Sequence, residues 1–209
     1  MIIEKIIDRD GTEVLQDKET GKRYARIVAG VGWPGIKPGF AVVVGEDFNE
    51  DPSLKTRHLW IFAEIEEEDL ETLFQKCLES RDRYQIETFL ANTDNRPMME
   101  FLYDFNRGLK EGIYALSFGK APFPEDLEYH GLIIQSRIRQ GEKSLHFPEK
   151  TLLKGYLMEI GKEEIRKADV LDHPAIAALG YALSHIKSYP FVIRRRHQKR
   201  NRVRDWRVV

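Results

Sequence analysis

Three strand-length apolar runs joined by short loops, followed by an abrupt change to helical spacing, constrain this chain more than any other feature. Tyr24 to Val31, Phe40 to Gly45 and Arg57 to Ile65 follow one another through short connections. That predicts an antiparallel meander, because parallel neighbours need a crossover of a dozen or more residues. The period then changes. Leu70, Leu73, Phe74, Cys77 and Leu78 fall at i, i+3, i+4, i+7 and i+8, one face of a helix. Ile86 to Ala91 reads as a fourth strand ending in Asn92-Thr93-Asp94. A helix follows, with Pro97 in its first turn and Met98, Phe101, Leu102 and Phe105 on one face. Ile113 to Phe118 is predicted as a fifth strand.

Beyond that point the spacing is mostly helical. Leu127, Ile134 and Ile138 mark one helix, and Leu152, Leu153, Tyr156, Leu157 and Ile160 another, with a short strand expected between Ser144 and Pro148. The last helix starts near Asp172, runs through Ile176, Leu179, Leu183 and Ile186, and stops at Tyr189-Pro190. At the other end, Asp10-Gly11 and Thr20-Gly21 supply turn chemistry for a strand–turn–strand unit in residues 1–23. Three antiparallel strands, a crossover helix, a strand, a helix and a further strand make up the order of a ribonuclease-H-like mixed α/β sheet flanked by helices. Pattern alone leaves it one candidate among several α/β folds. We read residues 1–190 as a single domain with 1–23 as an N-terminal hairpin extension, and 191–209 as a basic C-terminal tail.

Charge enters through its distribution. The chain of 209 residues carries 33 basic and 34 acidic residues, so net charge argues for neither nucleic acid nor membrane. The run from Arg194 to Arg204 is strongly basic, and Glu64 to Glu71 is acidic. Arg194, Arg195, Arg196, Lys199, Arg200 and Arg202 are the candidates for contact with DNA phosphates, since clustered cations give sequence-independent affinity. A solvated terminus or a docking arm for an acidic partner is the competing reading. The single cysteine, Cys77, excludes an intrachain disulfide or a cysteine zinc site and fits a reducing compartment. No apolar run approaches the roughly 18 residues needed to span a bilayer. The start, Met-Ile-Ile-Glu-Lys, lacks a signal-peptide pattern. A cytoplasmic protein is expected.

Motif by motif, the familiar catalytic signatures are missing or out of context, although residue types alone leave a Ser/His/Asp triad open. Gly30-x-Gly32-x-x-Gly35 matches the dinucleotide fingerprint, but Pro34, Pro38 and Gly39 lead into another strand instead of the helix whose amides would face a pyrophosphate. No phosphate-cradling P-loop, HExxH pair or GxSxG elbow occurs. The scattered histidines include His58, for which a hydrogen-bonded structural role is expected. Asp94, just past a buried-type strand, stands where open α/β sheets place their sites and could hold Mg²⁺ or Mn²⁺. Alternatively, Asp94 or Asn95 simply caps the following helix. Asp172-His173-Pro174 reads as a helix start with Asp172 as N-cap.

Taken together, several segments resemble the C-terminal nuclease domain of phage terminase large subunits. Arg26-Ile-Val-Ala-Gly-Val-Gly-Trp-Pro-Gly35 followed by Phe40-Ala-Val-Val-Val-Gly45 resembles the family's first two strands. Ile86 to Asp94 with Pro97 is similar to its fourth strand and acidic residue. Ile138 to Pro148 is similar to its "G-x-l-x-f-P" stretch, and Asp172 to Leu183 to its final acidic helix. The likeness spans residues 24–186. It implies Mg²⁺- or Mn²⁺-dependent endonucleolytic cutting of double-stranded DNA during genome packaging in the cytoplasm of a bacterial host, with Asp94 and Asp172 as catalytic metal ligands.

The departures bear on activity. The family's first-strand aspartate position is Gly32, and a further acidic position of the last helix is Ala177. Asp47 or Glu64 is a conceivable replacement ligand. No ATPase half is encoded, so a separate packaging ATPase or portal protein is an expected partner. Two functions follow from the likeness: a metal-dependent nuclease with an incomplete acidic triad, or a catalytically inactive terminase-like protein that binds DNA or a partner. An unrelated protein on a similar fold is the third possibility.

Overall fold

The computed structural model describes residues 1–8, 11, 13–48, 58–86, 88–139, 145–159 and 170–186. The basic residues from Arg194 to Arg202 lie outside that set. Among the described residues the strands are β1 (Ile3–Ile7), β2 (Glu13–Asp17), β3 (Arg23–Gly32), β4 (Gly39–Asp47), β5 (Leu59–Glu67), β6 (Phe89–Ala91), β7 (Phe118–Lys120) and β8 (Leu145–His146). The helices are α1 (Leu70–Tyr84), α2 (Arg96–Arg107), α3 (Leu127–Arg139), α4 (Leu153–Glu159) and α5 (Pro174–His185), the last preceded by a short 3-10 turn at Val170–Asp172.

The strands form one mixed sheet. β3, β4 and β5 are the expected antiparallel meander, with Gly32 opposite Phe40 and Val42 opposite Glu64. β6 joins the other edge of β3 in parallel through Ala29 to Val31, and β7 continues in parallel from β6. Across the middle the order is therefore β5-β4-β3-β6-β7. The N-terminal hairpin enters the same sheet, since Leu15 and Gln16 of β2 pair with Tyr24 and Arg23. β8 adds to the outer edge of β5 in parallel.

Helices cover both faces, so β4 is buried from Gly39 to Glu46 and reads as a continuous apolar run instead of an alternating one. On one face Ala29, Val31, Ala41, Val43 and Phe89 pack against Leu73, Phe74 and Cys77 of α1 and Leu102 of α2. On the other, Val28, Phe40, Val42 and Val44 meet α3, α4 and α5. Burial raises the Cys77 thiol far above its usual range, which leaves it a packing group. None of these helices is long and apolar enough to cross a membrane.

Local chemistry explains where sequence and structure part. The fifth strand was expected at Ile113 to Phe118, yet only Phe118–Lys120 pairs with β6. Asn106 of α2 takes the backbone instead: its Oδ1 accepts from Leu116 N at 2.8 Å and its Nδ2 donates to Leu116 O at 3.0 Å. With its polar groups satisfied by a side chain, Leu116 needs no ladder partner, and Tyr114 is 86% exposed. The fourth strand is shorter than expected, since Ile86 N still bonds back to Arg81 O across the end of α1 at 3.0 Å. At α5 the N-cap is His173, not Asp172, which belongs to the 3-10 turn; Pro174 occupies the first helical position.

Candidate functional site

Parallel pairing brings the carboxyl ends of β3, β6 and β7 to one edge of the sheet, the place where open α/β sheets carry their sites. Trp33 continues from β3. It is 2% exposed, and its Nε1 donates to the backbone oxygen of Asn92 at 2.8 Å, tying the end of β3 to the end of β6. Asn92 is buried, and its Oδ1 accepts from Asp94 N at 3.1 Å. Asn95 then caps α2, its Oδ1 accepting from Met98 N at 3.4 Å. The cap thus falls to Asn95 and leaves the Asp94 carboxylate available. That carboxylate meets Lys120 at the end of β7, Nζ to Oδ2 2.5 Å, with both side chains more than half exposed.

The carboxyl end of β3 is different in kind. α5 lies directly on it. A Cβ added at Gly32 would strike the carbonyl oxygen of Pro174 and come within 2.7 Å of that residue's Cα and carbonyl carbon. At Gly30 a Cβ would lie 2.9 Å from both Ala178 C and Ala182 N. Both separations are far below van der Waals contact. The helix can come this close because Ala175, Ala177, Ala178 and Ala182 have small side chains, and all are buried. The 3-10 turn that carries Asp172 presses on the β3–β4 loop in the same way, with Leu171 Cβ 2.9 Å from a Cβ added at Gly35.

These positions decide how the sequence-derived site residues stand. Asp94 follows the carboxyl end of β6, and Asp172 sits in the turn that packs on the β3–β4 loop. Gly32 is in contact with helix backbone. The two conceivable replacements are engaged elsewhere. Asp47 stands opposite Tyr24, and eight residues of strand from Tyr24 to Gly32 amount to roughly 26 Å. It pairs with Lys22 at 3.1 Å. Glu64 is nearer, but its Oε2 accepts from Leu152 N at 2.5 Å and Leu153 N at 3.2 Å, and its Oε1 from the Thr151 hydroxyl. It is the cap of α4. No three His, Cys, Asp or Glu side chains among the described residues gather closely enough to hold a metal ion. Among the described residues the donor set does not fit a two-metal centre, which needs carboxylates bridging ions about 4 Å apart.

Trp33, Asn92 and Lys120 are the members of this edge that sequence reasoning missed. Lys120 was hidden because the fifth strand was placed too early; a strand ending at Lys120 would have put it beside Asp94. Comparison of the chain with protein-family models, with curated proteins and with solved structures found no match.

Proposed function

We propose that this chain is a terminase-like domain on a ribonuclease-H-like sheet that binds double-stranded DNA without cutting it. The order β5-β4-β3-β6-β7, three strands antiparallel and two parallel, supports the fold reading. So do the crossover through α1 and the final helix α5 laid across β3. The observation that carries the non-cutting half is the contact of Gly32 with the backbone of Pro174. The place of the resembled family's first acid is filled by main chain, so no conservative change there restores a ligand. The cations between Arg194 and Arg202 supply the phosphate contacts. A nuclease with an altered site is the second reading, favoured by the persistence of Asp94 and Asp172.

One pair of measurements separates the two. Supercoiled plasmid is incubated with the full chain and Mn²⁺, then Mg²⁺, beside Asp94→Ala and Asp172→Ala. Duplex DNA binding is followed by anisotropy across a salt series. Binding without nicking is expected. With all six cations engaged, log K should fall against log salt with a slope of about −5. Replacing the six by serine should flatten that slope. Nicking that both alanine variants abolish would establish the nuclease instead.

A further inference from the structure

We propose that the segment Phe191-Val192-Ile193 of this chain docks in a furrow between β2 and β6 and adds a short strand to the edge of β3 there. The inference stands whether or not the basic run binds DNA; it concerns where that run is anchored.

The furrow arises because two strands share one edge of β3. β2 meets that edge at Arg23 and Tyr24, and β6 meets it from Ala29 to Val31. On the opposite edge β4 follows β3 from Tyr24 to Gly32, apart from a bulge between Tyr24 and Arg26. Among the described residues, 25–28 therefore have a strand on one side only. A strand advances about 3.3 Å per residue, so roughly 17 Å of edge separates Tyr24 from Ala29. Every second residue in that length turns its amide and carbonyl to the open side, and such an edge is a template for a further strand.

A cavity of about 580 Å³ lies over this stretch, and residues 25–28 form part of its wall. Alternation places it on the face covered by α5. A Cβ at Gly30 would strike Ala178 of α5, and Leu90 stands opposite Gly30. Val28, two residues along, shares that face. The floor is apolar: Val28 and Leu90 are buried in the core beneath α5, and Leu15 of β2 lines the other wall. The charges around it are engaged, Lys5 with Glu13 at 3.0 Å and Arg26 with Glu46 at 2.9 Å. What the furrow offers is apolar surface beside a strand edge. Such sites take extended peptides, main chain to main chain, with alternate side chains buried.

The chain itself supplies an occupant of that kind. His185, the last residue of α5, lines the cavity. From Ile186 to Phe191 is a reach of up to about 17 Å, enough to enter the furrow. Phenylalanine, valine and isoleucine favour strands. Pro190 before them lacks an N–H, which the first residue of a strand tolerates. Docking there starts the basic run at Arg194 beside the sheet.

Hydrogen exchange of the full chain, corrected for intrinsic rates, tests this. Every amide of residues 25–28 should be protected; without an occupant, those turned to the furrow exchange freely. The variant Phe191→Asp, Ile193→Asp leaves all arginines in place. Its protection at the furrow should fall at least about tenfold while Val42 of β4 keeps its own. A synthetic peptide of residues 188–194 added to the variant should restore the protection. Free exchange at the furrow in the native chain, or protection that survives in the variant, overturns the proposal. So does protection that disappears on dilution, which would place a second copy in the furrow. Should the variant not fold, nuclear Overhauser contacts in the native chain between the Leu90 methyls and the side chains of residues 191–193 decide: their presence supports docking, and their absence refutes it.

Discussion

The seam between β3 and α5 and the tip formed by β6 and β7 lie at the same edge of one sheet, yet they are built on opposite principles. At the seam, glycine faces helix backbone: Gly30 and Gly32 let Pro174, Ala178 and Ala182 lie on the strand. At the tip, Asn92, Asp94, Asn95 and Lys120 are satisfied by one another and by the start of α2. The first region is given over to packing. The second keeps its carboxylate but neutralises it with a lysine. An edge that would need both regions to hold metal ions is therefore incomplete where it cannot be repaired by one residue.

This contrast ranks the effects of substitution. Gly32→Asp, the change that would restore the resembled family's acid, should be the most damaging. It forces a side chain into helix backbone and should cost more than about 3 kcal/mol, read as a lower denaturation midpoint with no gain of nicking. An active, stable Gly32→Asp protein would break the contrast. Gly180→Ala on the far side of α5 comes next. Its Cβ would lie 2.6 Å from His130 Cγ, and about 1–3 kcal/mol is expected because a side chain yields more readily than backbone. At the tip, Asn95→Ala removes the α2 cap and should cost about 1 kcal/mol. Smallest is Asp94→Ala or Lys120→Ala: the pair is more than half exposed, and its loss should move stability by less than about 0.5 kcal/mol. A large effect there would mean that the tip is as structural as the seam.

The meander and the crossover helix were legible because burial leaves an unbroken trace. β4 is apolar along its length since helices cover both its faces, and α1 shows its buried stripe from Leu73 to Leu78. The failures came where a side chain did the work of backbone. Asn106 holds Leu116 out of the sheet, and a single asparagine in a helix gives no warning of that. The start of α5 was placed at Asp172 by its capping preference, but the chain needs that residue in the turn that packs on Gly35. Gly32 stands out in the sequence only as the place where the resemblance expects an acid. That it is a contact point was not legible, because the glycines of β3 and the alanines of α5 are some 150 residues apart and only the fold brings them together.

The central proposal is that the described residues at this edge of the sheet form no two-metal centre. Mn²⁺ binding to the full chain, followed by the loss of the free-ion EPR signal, tests it most directly. The account predicts no saturable binding in the micromolar range, and titrations of Asp94→Ala and Asp172→Ala that overlay the native one. Saturable binding of two ions that either substitution abolishes would contradict it, and would place a working metal centre beside Gly32 after all.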